Sequence, residues 1–124
     1  MRVLCILLVE DDDIDAMLIR EMVSAAGHGT CRIERAAYLE DAKRLLAEGS
    51  AYDLVMVDLH LPDAMGPACV AALKGEAPIV AMSGRDGDEA LKQACIDAGA
   101  VGFISKVRMG PDRAAHALTF ARKG

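Results

Sequence analysis

The feature that most constrains the fold of this chain is a regular alternation between short apolar runs and stretches whose apolar residues recur at helical spacing. Central strands of a parallel sheet are covered on both faces and read as continuous apolar runs, and a crossover helix joins each one to the next. The alternation therefore predicts repeated strand–helix units around a parallel sheet. Five strands are predicted, at residues 3–9, 30–34, 54–57, 79–82 and 102–105.

The second predicted strand differs from the others because charged residues interrupt it. Cys31 and Ile33 alternate with Arg32 and Glu34. This alternation indicates a strand with one face partly exposed to water. We therefore expect the second strand at an edge of the sheet.

Each predicted strand is followed by a stretch whose apolar residues share one helical face. These five stretches begin at Ile14, Leu39, Pro67, Ala90 and Ala114. Gly27, Gly49 and Gly99 are expected to end the first, second and fourth helices, because glycine readily adopts the conformation that closes a helix. The third helix is expected to be short, and the apolar stripe of the fifth reaches Ala121.

Length and charge narrow the classes of function. A chain of 124 residues is predicted to form a single domain over residues 1–124, so any output domain would lie outside this chain. With 14 Lys+Arg and 19 Asp+Glu, the formal net charge is −5. An acidic chain is poorly suited to neutralise a phosphate backbone, and direct nucleic-acid binding is therefore not expected.

The apolar run at residues 3–9 does not indicate a membrane protein. It is too short to cross a bilayer, and acidic residues from Glu10 onward follow it where a signal peptide would need small ones. We therefore expect a cytoplasmic protein with no membrane partner. The cysteines lack metal-site spacing and are expected to be reduced, buried thiols: Cys5, Cys31, Cys69 and Cys95.

Polar side chains follow four of the five predicted strands directly. Glu10 and Asp11 follow the first, Asp58 the third, Ser83 the fourth and Lys106 the fifth. Each of them alone is explained as a helix cap, a turn residue or a surface charge. Because ligands bind beyond the carboxyl ends of the strands in an open parallel sheet, their coincidence at that edge instead favours a shared pocket.

The residue types in this pocket point to phosphoryl transfer. Clustered carboxylates repel one another unless a cation lies among them, and hard oxygen ligands favour Mg²⁺. A carboxylate beside such an ion can attack phosphorus and become an acyl phosphate. Lys106 and Ser83 would stabilise the charge on the transferred group.

Four motifs in this order resemble the receiver domain of bacterial two-component response regulators. They are I-L-L-V-E-D-D-D at 6–13, Y-D-L-V-M-V-D-L-H-L-P-D at 52–63, I-V-A-M-S-G at 79–84 and G-A-V-G-F-I-S-K at 99–106. The resemblance covers essentially the whole chain. It implies a flavodoxin-like (βα)5 fold, a doubly wound five-stranded parallel α/β sheet in the order 2-1-3-4-5.

The resemblance also implies a role for each site residue. Asp58 is similar to the phosphoacceptor and Phe103 to the aromatic switch residue. Ser83 and Lys106 resemble the hydroxyl and lysine residues that contact the phosphoryl group. The metal ligands implied are Glu10, Asp11, Asp58 and the backbone carbonyl of His60.

A receiver domain of this kind takes its phosphoryl group from a histidine kinase or a histidine phosphotransfer protein. It acts on a downstream protein partner or on an output domain outside this chain. The resemblance implies no enzyme activity beyond the domain's own phosphorylation and dephosphorylation.

Three departures from the family pattern are visible. Val107 stands where the family usually has proline, so a cis peptide is not expected after Lys106. Met65 stands before Gly66 where aspartate is common, and the span from Asp58 to Ser83 is a few residues short. These departures bear on how Lys106 is presented and on the output face.

Three alternatives have different chemistry. An FMN-binding flavodoxin shares the fold but needs a phosphate loop rich in small polar residues where this chain has acids. A haloacid-dehalogenase-type phosphatase matches the D-x-D spacing of Asp11 and Asp13 but not the other motifs. A degenerate receiver would act as a phosphorylation-independent docking module, a reading to which Val107 lends weight.

Overall fold

A computed structural model of the chain describes residues 3–27, 31–49, 51–85, 87–107 and 109–121. Strands and helices alternate along these residues. The strands are Leu4–Val9 (β1), Cys31–Ala36 (β2), Leu54–Asp58 (β3), His60–Leu61 (β4), Ala64–Met65 (β5), Ile79–Ser83 (β6) and Gly102–Ser105 (β7). The helices are Asp13–Ala26 (α1), Leu39–Ala47 (α2), Pro67–Leu73 (α3), Glu89–Ala98 (α4) and Pro111–Leu118 (α5).

The longer strands form one parallel sheet in the order β2-β1-β3-β6-β7. Because β6 and β7 are the fourth and fifth strands of this sheet in chain order, the predicted order 2-1-3-4-5 is confirmed. The predicted edge position of the second strand is confirmed as well. The short strands β4 and β5 pair antiparallel in a hairpin directly after β3, an element that the sequence pattern did not predict.

Helices cover both faces of the sheet, as expected for a doubly wound fold. On one face Leu7 and Val9 of β1 pack in a core to which α2, α3 and α4 contribute. On the other face Ile6 and Leu8 pack in a core to which α1 and α5 contribute. Every residue of β3 and β6 is buried, which explains their continuous apolar sequences.

Four strand boundaries differ from the prediction, and the first of them is the start of β1, which lies at Leu4 rather than at Val3. The third and fourth strands end one residue later, at Asp58 and Ser83, because both residues still pair with the neighbouring strand. The second strand continues to Ala36, which pairs in register with Val9. Residue 30, its predicted start, lies outside the described residues. Asp58 and Ser83 are therefore the last residues of their strands, where the pairing holds them in place.

The helix ends agree in part with the prediction. Gly27 and Gly99 follow α1 and α4 directly, whereas α2 stops two residues before Gly49. The fifth helix ends at Leu118 because the backbone N–H groups beyond it donate three residues back rather than four. Ala121 is nevertheless buried. Within the described ranges, no helix combines the length and apolar character that crossing a membrane requires.

All four cysteines are free thiols. Cys69 and Cys95 are buried as expected, but Cys5 and Cys31 are only half-buried, since they lie at the start of β1 and on the edge strand β2. Burial, aided by the negative charge of Asp58, raises the pKa of the Cys69 thiol to about 11. This thiol is therefore protonated and unreactive at neutral pH.

Candidate functional site

The acidic loop after β1 presents one carboxylate inward and caps α1 with another. Glu10 is completely buried, and its Oε2 accepts a hydrogen bond from the Asp12 N–H at 3.3 Å. The Asp12 side chain accepts the Asp15 N–H at 2.9 Å and so caps the helix. Asp11, which lies between Glu10 and Asp12, is exposed at the mouth of the site.

An arginine from the edge strand holds this loop in place. Arg35 donates from Nε to the Glu10 carbonyl at 2.9 Å and from Nη2 to the Asp11 carbonyl at 3.0 Å. Its Nη1 also contacts the Asp13 carboxylate at 2.8 Å. The planar guanidinium therefore fixes the backbone of two acidic residues at once. Asp13 pairs with this arginine and, unlike Asp11, is not among the carboxylates whose ligand oxygens cluster within 4.8 Å.

Lys106 is the centre of the site. Its ammonium lies 2.7 Å from Glu10 Oε1, 3.1 Å from Asp58 Oδ1 and 3.0 Å from Asp15 Oδ2. The lysine follows β7, and its backbone N–H donates to the Ser83 carbonyl at 2.7 Å. The residue after the last strand of the sheet thus contacts carboxylates from the loop after β1, from α1 and from β3.

Three carboxylates surround the single positive charge of Lys106, so negative charge is in excess around it. Ligand oxygens of Glu10, Asp11 and Asp58 all lie within 4.8 Å of one another. Burial, with the charge of Asp58, raises the pKa of Glu10 to about 7. Burial, with the charge of Asp11, raises the pKa of Asp58. Burial would lower the pKa of Lys106, but its hydrogen bonds to Glu10 and Asp15 raise it instead.

This arrangement suits a divalent cation of the hard type. The three carboxylates offer oxygen ligands from one small volume. In addition to burial, the charge of Asp58 raises the pKa of Glu10 and the charge of Asp11 raises the pKa of Asp58. A doubly charged ion relieves this repulsion between carboxylates. The described part of the chain therefore contains an acidic cluster that fits Mg²⁺ by donor type and charge.

Ser83 and Phe103 lie on the neighbouring strands β6 and β7. Ser83 is buried at the end of β6, and its Oγ accepts a hydrogen bond from the Arg85 N–H at 3.1 Å. Phe103 is half-buried in β7, where it packs against the core under α3 and α4. Ser83 is the last residue of its strand, at the predicted edge, whereas Phe103 lies inside β7, between Gly102 and Ser105.

The peptide bond between Lys106 and Val107 is trans in this chain, which lacks the family's usual proline at position 107. No cis peptide occurs among the described residues, as the replacement by Val107 predicts. Two hydrogen bonds shape the turn: the Val107 N–H donates to Ser105 Oγ at 3.1 Å, and the Met109 N–H donates to the Lys106 carbonyl at 3.2 Å. Lys106 consequently reaches the carboxylates without the proline.

The hairpin after Asp58 borders the site on its other side. His60 pairs with Met65 across the hairpin, and both side chains are exposed. At the turn, Asp63 accepts the Leu39 N–H at 2.9 Å and the Glu40 N–H at 3.0 Å. The hairpin thereby caps α2, whose own N-cap residue supplies no side-chain bond.

Sequence reasoning missed Asp15, Arg35 and Asp63. For Arg35 a signal existed, because strand alternation places it on the same face as Ile33, which packs against the core of α1. For Asp15 the helical period places it four residues before the buried Ile19, on the side of α1 that faces the sheet. For Asp63 no comparable signal exists, since an aspartate near a proline is equally at home in a turn.

Comparisons with known proteins agree on one family. A family model described as the response regulator receiver domain matches residues 6–118. The chain is 37% identical over 105 residues to the two-component response regulator ORR41 of Oryza sativa subsp. japonica, covering 82% of this chain and 81% of that protein. It is 31% identical over 107 residues to the sensory/regulatory protein RpfC of Xanthomonas campestris pv. campestris, covering 81% of this chain but 14% of RpfC.

Solved structures give the same fold. The signal receiver domain of an HD domain-containing protein from Pseudomonas fluorescens Pf-5 superposes with a TM-score of 0.80 at 24% identity, over 96% of this chain and 86% of that one. A response regulator protein from Burkholderia pseudomallei gives a TM-score of 0.75 at 21% identity, over 93% of this chain and 66% of that one.

A five-stranded doubly wound sheet with carboxylates and a lysine at its carboxyl edge defines a flavodoxin-like α/β domain with an acidic pocket, and the predicted fold class is confirmed. The chain belongs to the family of response regulator receiver domains. It is a receiver domain of two-component systems, as the sequence motifs indicate.

Proposed function

We propose that this receiver domain accepts a phosphoryl group on Asp58 with the help of Mg²⁺ and then changes which partner it binds. The observation that carries the proposal is the 3.1 Å contact between Lys106 Nζ and Asp58 Oδ1, inside a cluster with Glu10. Asp58 is buried at the end of a central strand, where it has both a cation and metal-ligand neighbours.

Glu10, Asp11 and Asp58, with the backbone carbonyl of His60, are the residues that would hold the ion. Bound there, Mg²⁺ supplies positive charge to the transferred group. Support comes from the Burkholderia pseudomallei structure, which contains a phosphorylated aspartic acid and a calcium ion. Asp12 and Asp13 serve the helix cap and Arg35, and we assign them no ligand role.

In the proposed reaction, an Asp58 carboxylate oxygen attacks the phosphorus of a phosphohistidine or a small acyl phosphate. The new bond is an acyl phosphate, and the bond between phosphorus and the donor breaks, leaving the donor with its electron pair. Lys106 and the Ser83 hydroxyl stabilise the equatorial oxygens. Attack by water on the same phosphorus later restores Asp58, so the domain catalyses only its own phosphorylation and dephosphorylation.

The first experiment is phosphorylation by acetyl phosphate with Mg²⁺, followed by intact-mass measurement. We expect the mass of one phosphoryl group on the wild type and none on the matched Asp58→Asn variant. Borohydride trapping should locate the modification at Asp58. If the chain is a docking module that is not phosphorylated, no mass should be added. A phosphoryl group found on Asp11 in a protein that retains Asp58 would overturn the assignment.

The affinity for Mg²⁺ is expected to fall as pH falls. The pKa of Glu10 is raised to about 7, so its carboxyl carries a proton below that pH and must release it to become a ligand. Between about pH 8 and about pH 6 the affinity should drop about tenfold. Titration calorimetry in two buffers of different ionisation enthalpy would detect the released proton, and Glu10→Gln should remove most of the pH dependence.

We propose that Ser83 and Phe103 report phosphorylation to a partner. A phosphoryl oxygen offers Ser83 a charge-assisted hydrogen bond, which draws its hydroxyl away from the Arg85 N–H and leaves space for the Phe103 ring. Ser83→Ala should still accept phosphate but show a smaller NMR response around Phe103 on activation by beryllofluoride. A response equal to that of the wild type in size and place would contradict this switch.

The proposed donor is a histidine kinase or a histidine phosphotransfer protein in the cytoplasm. The proposed receiver of the signal is a downstream protein or an output domain outside these residues, without direct contact to nucleic acid or membrane. The net charge of −5 supports a protein partner over nucleic acid.

A further inference from the structure

Lys106 also contacts Asp15, a residue that has no role in the proposed phosphoryl transfer. Asp15 lies in the first turn of α1, and its Oδ2 is 3.0 Å from Lys106 Nζ. The Asp15 side chain is 44% exposed, whereas the Lys106 side chain is 15% exposed. Asp15 therefore approaches the buried ammonium from the solvent side of the site.

Asp15 stands apart from the metal-ligand cluster. The cluster of oxygens within 4.8 Å consists of Glu10, Asp11 and Asp58, and Asp15 does not belong to it. Cation binding would neutralise part of the charge of Glu10 and Asp58, but Asp15 would keep its full negative charge. Of the three carboxylates that contact Lys106, Asp15 is then the one that still competes with a phosphoryl group for the ammonium.

The position of Asp15 is fixed by the helix, which makes this competition a constant feature of the site. Its backbone N–H is bonded to the Asp12 side chain in the N-terminal cap of α1. The backbone of Asp15 is thus held at a fixed place in the helix cap. A lysine ammonium has three donors, and here it donates to Glu10 and Asp15 and also lies 3.1 Å from Asp58 Oδ1.

We propose that Asp15 is a positioning residue that holds Lys106 toward α1. Asp15 thereby weakens the interaction of the Lys106 ammonium with a phosphoryl group at Asp58. This inference rests on the proposed function. A carboxylate that competes for the ammonium makes the phosphorylated state less stable and so favours return to the resting state. Its removal should strengthen binding of a phosphoryl mimic.

The test measures beryllofluoride affinity at saturating Mg²⁺ by NMR titration. Asp15→Asn and Asp15→Ser should each bind about three- to fivefold more tightly than the wild type, the range expected for a partly exposed ion pair. Glu21→Gln is the matched control, because it removes the same charge from an exposed position on α1 and should leave the affinity unchanged. Unchanged or weaker binding in the Asp15 variants would overturn the proposal.

A second arm asks whether Asp15 acts through the lysine. In a Lys106→Ala background, Asp15→Asn should no longer tighten beryllofluoride binding, and tightening that persisted would show a general charge effect instead. Denaturant unfolding of the metal-free single and double variants measures the coupling of the pair without any phosphoryl mimic, and zero coupling would also contradict the proposal. If the wild type bound no beryllofluoride, the proposed function would fail and this inference with it.

Discussion

Replacing Lys106 with alanine is expected to slow phosphorylation of Asp58 by acetyl phosphate at least about a hundredfold, the usual effect of removing one preorganised charge donor. The reason is geometric: its ammonium is 3.1 Å from Asp58 Oδ1, and the side chain is mostly shielded from water. Stopped-time intact-mass measurements give the rate. Lys92→Ala, on the exposed surface of α4, is the matched control and should react like the wild type.

The same Lys106 substitution should destabilise the metal-free protein by about 3 kcal/mol, because it leaves the buried Glu10 without its cation. Loss of that cation raises the folded-state pKa of Glu10 further above its value in the unfolded chain. A raised acid pKa stabilises the folded state at low pH and costs stability as pH rises, so the loss should be largest at high pH. Equal losses at low and high pH, measured by denaturant unfolding, would contradict this account.

Replacing Arg35 with alanine is expected to weaken Mg²⁺ binding about tenfold or more, as removal of groups that orient metal ligands usually does. Its guanidinium holds the carbonyl groups of Glu10 and Asp11, so the variant loses the backbone geometry of two proposed ligands without losing either carboxylate. Titration calorimetry measures the affinity.

Two further variants sharpen this test. Arg32→Ala removes the same charge from an exposed position on β2 and should leave the affinity nearly unchanged. Arg35→Lys keeps the charge but loses the fork that reaches two carbonyls, and it should not restore binding. An Arg35→Lys variant with the affinity of the wild type would show that charge alone matters.

The fold was predictable because the alternation of apolar runs and helical stripes is a local pattern, repeated along the chain. The ends of strands were less predictable. Asp58 and Ser83 remain in the sheet because residues of the neighbouring strands pair with them, and the local sequence does not indicate that pairing. The second strand was predicted to end too early for the same reason.

Within the candidate site, the strand ends brought Glu10, Asp58 and Lys106 to one edge as the pattern predicts. The supporting residues Asp15 and Arg35 were not predicted, because each acts through side-chain contacts with a distant segment. The Asp15–Lys106 contact joins residues 91 positions apart in the sequence. Such contacts depend on side-chain reach in three dimensions, which motif spacing does not contain.

The delivery of Lys106 by the last strand of the sheet has a consequence for how the protein is made. Glu10 and Lys106 are separated by 96 positions. During synthesis, Glu10 therefore cannot pair with Lys106 until β7 and the residue after it have been made. Under the proposed function, a chain that ends before that strand has the acceptor Asp58 but lacks Lys106. Phosphorylation of Asp58 is therefore expected only after β7 and Lys106 have been synthesised.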